Sequence, residues 1–107
     1  MNKTFASLGI NASLVEALTN QHITEPTAVQ EQAVPAALKG HNLLVQAQTG
    51  TGKTLAFLLP IFQGIKKDAS MTQALIMAPT RELSEQLATV ADSFTPVTGL
   101  DILNLIG

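Results

Sequence analysis

Apolar positions along this chain switch between helical and strand spacing. Leu14, Val15 and Leu18 recur at helical spacing behind Asn11, a good N-cap, so a helix is predicted from Ala12 to about Asn20. Phe5 to Ile10 reads as a short turn before it, and Gln21 to Pro26 as a connector after it. Thr27-Ala28-Val29-Gln30 spells a capping box and starts a second helix. Pro35 has no N–H to donate, so that helix should break or kink near Val34, with a further turn over Ala36 to Lys39 ending at Gly40. Leu43 to Ala47, apolar except for Gln46, is a run of buried-strand type. From Lys53, the run Leu55 to Phe62 is apolar all round, which predicts a helix buried on more than one face, bent at Pro60. Gly64 to Gln73 is a solvated connection, and Ala74 to Ala78 a second short strand ended by Pro79. Thr80 caps a helix predicted from Arg81 to about Phe94, with Leu83, Leu87, Val90, Ala91 and Phe94 inward and Glu82 and Glu85 near its positive end. Thr95 to Gly99 is a turn region, and Leu100 to Ile106 a third strand.

Strands alternating with helices predict an α/β fold with a parallel sheet, flanking helices and right-handed crossovers. Composition narrows the picture. The chain has 107 residues, 46% of them apolar, which suits one small domain or part of a larger one. Only four Phe and no Trp or Tyr are present, so aliphatic side chains must fill the core. With no Cys there is no disulfide and no thiolate metal site. The net charge of −2 makes no basic stripe, so any nucleic-acid contact must be local. The first residues show neither a long apolar core nor a cleavage signature, and no apolar run reaches bilayer length. A cytoplasmic protein without signal peptide or membrane span is the expectation.

The candidate chemistry sits between the first strand and the helix that follows it. Ala47-Gln48-Thr49-Gly50-Thr51-Gly52-Lys53-Thr54 has the layout of a phosphate-binding P-loop. A triphosphate needs several N–H donors converging on one small volume. Gly50 and Gly52 let the backbone come close, and the helix directs its unpaired N–H groups at the same anion. Lys53 is placed to neutralise the β- and γ-phosphates, and the Thr54 hydroxyl to bind Mg²⁺. The first position of the motif, usually Gly, is Ala47 here. His22 and His41 show no metal-ligand spacing.

Three blocks in order resemble the amino-terminal part of a DEAD-box RNA helicase. Phe5 with Glu25-Pro26-Thr27-Ala28-Val29-Gln30 resembles the Q motif and its upstream aromatic. Ala47 to Thr54 resembles motif I, in which the family carries Ala at the first position. Pro79-Thr80-Arg81-Glu82-Leu83 resembles motif Ia. One departure is His22, where the Q motif usually has Gly; if that position needs positive φ, His bears some strain. The resemblance implies ATP and Mg²⁺ as cofactors and RNA as partner. Gln30 would read the adenine edge, Phe5 would stack on its ring, and Thr27 would help hold the Q-motif loop. Gln48, Thr49, Gly50, Thr51, Gly52, Lys53 and Thr54 would hold the phosphates and Mg²⁺. Pro79, Thr80 and Arg81 would touch the RNA backbone near a helix N-terminus, with little sequence preference.

The resemblance also implies an incomplete RecA-like P-loop NTPase domain, with residues 1–42 as a Q-motif helical region and 43–107 as the P-loop portion. The 107 residues contain no Asp-Glu-Ala-Asp run and no Ser-Ala-Thr motif, and the second RecA-like domain with its arginine fingers is not among them. The expectation is therefore the ATP- and RNA-binding portion of a helicase that unwinds short RNA duplexes, inactive alone. Its strands would be left with unpaired edges, marginal in isolation or covered by another chain. The rival expectations are a non-catalytic nucleotide-binding module and a different P-loop NTPase such as a small-molecule kinase or a GTPase.

Overall fold

The computed structural model describes residues 3–45, 52–65, 73–100 and 102–105. The chain divides into two compact units, residues 1–64 and 65–107.

In the first unit a 3₁₀ turn, Ala6–Leu8, precedes α1 (Ala12–Asn20), α2 (Ala28–Leu38) and α3 (Lys53–Gly64). The side chain of Asn11 accepts from the Leu14 amide at 3.0 Å, which satisfies one of the orphan donors of α1. The capping box opens α2 as its sequence predicts. Of the break or kink predicted near Val34, the break does not occur: α2 is one helix through Pro35 to Leu38. Proline costs this helix a single backbone hydrogen bond. The burial of Ala33 and Val34 just before Pro35, and the packing of α2 on α3, outweigh the loss. α3 likewise runs through Pro60. The core gathers Phe5, Leu8, Leu14, Leu18, Leu58 and Leu59.

The apolar circumference of α3 is used unequally. Leu55, Ala56, Leu58, Leu59 and Phe62 are buried over an arc of roughly 160° at 3.6 residues per turn. The opposite face, with Phe57, Pro60 and Ile61, lines an open groove of about 540 Å³ together with Ala33 and Ala37 of α2. Leu43 and Val45 border the same groove.

The second unit holds α4 (Arg81–Asp92) and the short α5 (Thr95–Thr98), which replaces the predicted turn. α4 stops two residues short of the predicted end; Phe94 is fully buried just beyond it. The Thr80 hydroxyl caps α4 by accepting from the Leu83 amide at 3.1 Å, and the Ser84 hydroxyl donates to Asn104 Oδ1 at 2.6 Å.

The expected parallel sheet is not confirmed among the described residues. Among the described residues no strand pairing is present at 43–45, 73–78 or 102–105. These segments carry exposed apolar side chains; Leu44 is 97% and Leu75 81% exposed. A strand is stable only through hydrogen bonds to a neighbour, and apolar sequence alone does not supply one.

α1 ends in a Schellman motif: the Ile23 amide donates to Leu18 O and the His22 amide to Thr19 O, both at 2.9 Å. The left-handed position at its centre is His22, with φ +64°. Gly40 fills the equivalent position after α2, where φ is +85°. A residue with a Cβ costs about 1 kcal/mol more than Gly in that conformation. His22→Gly is therefore expected to raise the unfolding free energy of the chain by up to about 1 kcal/mol. Urea denaturation monitored by circular dichroism measures this; an unchanged or lower midpoint would contradict the strain.

Candidate nucleotide-binding site

Gly52, the residue before α3, has φ +87°. Its carbonyl accepts from the Ala56 amide at 3.2 Å and so begins the hydrogen-bond ladder of the helix. The same carbonyl accepts a second bond at 3.1 Å, from Nε2 of Gln30, which lies 22 positions earlier. Gln30 is 2% exposed and is the sole buried polar residue among those described. Its Oε1 accepts from the Thr27 amide at 2.9 Å, while Thr27 Oγ1 accepts from the Gln30 amide at 3.3 Å. One glutamine side chain thus closes the capping box of α2 and holds the start of α3.

This contact leaves no room for a side chain at position 52. A Cβ there would lie 2.5 Å from Gln30 Nε2 and 2.9 Å from both Thr27 Oγ1 and Thr27 Cγ2. The motif-I glycine and the Q-motif residues therefore meet at van der Waals limit. Beyond Gly52, the first-turn amides of α3 have no intrahelical acceptor and carry the positive end of its dipole. Lys53 is exposed and Thr54 half-buried at this end. A positive-φ glycine, a helix start, an ammonium and a hydroxyl form a donor set suited to a phosphate chain.

The other expected site residues divide as follows. Gln48, Thr49, Gly50 and Thr51 lie outside the described residues. Phe5 is 2% exposed, and its carbonyl accepts from the Leu8 and Ile10 amides. Pro79, Thr80 and Arg81 are exposed at the N-terminus of α4. Thr80 Oγ1 acts as an acceptor in the cap, which leaves its proton available to donate.

Gln63 is a residue that motif reasoning missed. Its Oε1 accepts from the Asn11 amide at 2.8 Å, and its Nε2 donates to the Gly9 carbonyl at 2.6 Å. No local signal could have found it, because both partners are backbone groups more than 50 positions away.

The close approach at position 52 generates a direct expectation. Gly52→Ala should displace Gln30 and lower ADP affinity at least about tenfold, because both the backbone conformation and the contact with Thr27 and Gln30 are lost. Fluorescence titration with a labelled ADP measures this; an unchanged affinity would show that the approach is not required.

Known proteins similar to this chain are RNA helicases. The chain is 48% identical, over 95% of its length, to the ATP-dependent RNA helicase DBP9 of Coccidioides immitis, of which it covers 18%. The structure superposes on the RNA helicase Prp28 of Chaetomium thermophilum bound to ADP with a TM-score of 0.90 and 34% identity, covering 98% of this chain and 27% of that one. Against Dbp5 of S. cerevisiae bound to RNA and ADP BeF3, the TM-score is 0.82 at 32% identity, covering 92% and 26%. The chain thus spans less than a third of each of these relatives. The sequence model of the DEAD/DEAH box helicases matches residues 27–107, from the Q-motif threonine onward, and the chain belongs to that family.

Proposed function

We propose that this chain is the amino-terminal, ATP- and RNA-binding portion of the first RecA-like domain of an ATP-dependent RNA helicase. The observation that carries this reading is the bond from Gln30 to the Gly52 carbonyl. It joins the expected base-reading residue to the start of the expected phosphate-binding helix. Each amide atom of Gln30 makes one bond in the site and retains capacity for a second, one N–H and one lone pair. That is the donor–acceptor pair that the N6–H and N7 of adenine require, whereas guanine presents two acceptors on the same edge, O6 and N7.

The residues fit a nucleoside triphosphate with Mg²⁺. Lys53 would meet the β- and γ-phosphates as a point charge, and the first-turn amides of α3 would meet the oxygens between them. Thr54 would supply one oxygen ligand to Mg²⁺, which keeps several waters and takes the remainder from phosphates. The bound ion would neutralise charge on the transferring phosphoryl group. The parent helicase would grip single-stranded RNA by its sugar-phosphate backbone and 2′-OH groups, here through Thr80 and Arg81 at the start of α4. The apolar segments at 43–47, 74–78 and 100–106 would pair in a parallel sheet completed by other parts of the helicase domain. Among the described residues no helix is long and apolar enough to cross a membrane.

Two substitutions test the nucleotide assignment. Lys53→Ala removes a charge-assisted contact and should weaken ADP binding about 10- to 100-fold. Gln30→Ala should erase the preference for adenine over guanine nucleotides, read as the ratio of ADP to GDP affinities in calorimetry. Equal affinity of the unmodified chain for ADP and GDP would sink the adenine assignment.

A further inference from the structure

The helix that begins at the phosphate side of the site is fastened to the preceding chain near both of its ends, each time by a glutamine amide on backbone. At its start, Gln30 Nε2 donates to Gly52 O. Eleven residues on, about 16 Å along the axis, Gln63 reaches the turn that follows Phe5. The two bonds of Gln63 straddle Ile10. They engage the carbonyl of Gly9 and the amide of Asn11, the N-cap of α1. Inside the turn, the Gly9 amide donates to Ala6 O and the Ile10 amide to Phe5 O, at 3.1 and 3.2 Å. The turn is therefore a closed unit, and Gln63 is its side-chain link to α3 among the bonds described.

A glutamine is the side chain this junction requires. It must donate to one backbone group and accept from another within a single half-buried site. Glutamate can accept from Asn11 but sets an anion against the Gly9 carbonyl. Methionine fills the same volume and makes neither bond.

We propose that Gln63 is a positioning residue for nucleotide binding. It holds the Phe5 turn in register with α3, so that the base side and the phosphate side of the site form one rigid frame. This rests on the assignment of Phe5 and Gln30 to the base side. With the clasp intact, base contacts add to phosphate contacts because both are made by one preorganised body. Without it, the turn shifts relative to α3, and the base contributes less while the phosphates bind as before.

The test compares ADP with inorganic pyrophosphate on the 107-residue chain by calorimetry, for the unmodified protein, Gln63→Met and Gln63→Glu. The expected result is a five- to tenfold smaller ADP-to-pyrophosphate affinity ratio in both variants, with pyrophosphate affinity unchanged, a coupling of about the usual size. A purely structural role would weaken both ligands together and leave the ratio intact, and that result overturns the proposal. If the unmodified chain binds ADP no better than pyrophosphate, the base-side assignment itself has failed; if it prefers ADP and the variants keep that preference, only the role of Gln63 has failed. A second measurement needs no variant. Hydrogen exchange at the Asn11 amide of the unmodified protein should slow with saturating ADP and not with pyrophosphate; equal protection by both ligands counts against the proposal even should the variants fail to fold.

Discussion

The carbonyl of Gly52 accepts two hydrogen bonds, one from the helix it begins and one from Gln30. Most of the first unit follows from that double duty. Gly52 must hold φ at +87° to turn the backbone into α3, and it must lack a side chain to let Thr27 and Gln30 come so close. Gln30 in turn must be buried, and a buried amide must be bonded. The capping box of α2 supplies its acceptor function with a partner, and the Gly52 carbonyl supplies its donor with another. The cap of α2 and the start of α3 are therefore one polar cluster around a buried amide. Such a cluster is costly when half satisfied, so it favours a single arrangement.

What could be read in advance was what is local. Asn11, Thr27 and Thr80 announce helix starts because their side chains bond amides three positions on, and all three do so. The left-handed residue at His22 was legible from the motif position it occupies. Pro35 does not break α2, because proline's cost in a helix is a local quantity and the burial that offsets it is not. The bond between Gln30 and Gly52 joins two motifs that are each legible alone, yet their meeting is a tertiary fact. Gln63 lay further out of reach, since its partners carry no side-chain signature at all. The apolar runs were correctly seen as segments needing cover, while a pleated ladder depends on neighbours that no periodicity within a run can provide.

The two faces of α3 state the same lesson energetically. One face is buried, with α2 packed on the helix; the other lines an open groove with apolar side chains. At about 25 cal/mol per Å² of apolar surface, an uncovered face of that kind leaves substantial stabilisation unrealised. The DBP9 and Prp28 relatives are several times longer than this chain, which spans 18% and 27% of them. In the second unit, the cap residue of α4 uses one oxygen lone pair for the helix, and its hydroxyl retains a proton to donate.

The most direct test of the central claim is a nuclear magnetic resonance titration of the 107-residue chain with ADP, following backbone amide shifts. The account predicts that the largest changes fall together at Thr27 to Gln30 and at Gly52 to Leu55, saturating with one affinity. Changes confined to α4, or no saturable change at residues 52–55, would contradict it.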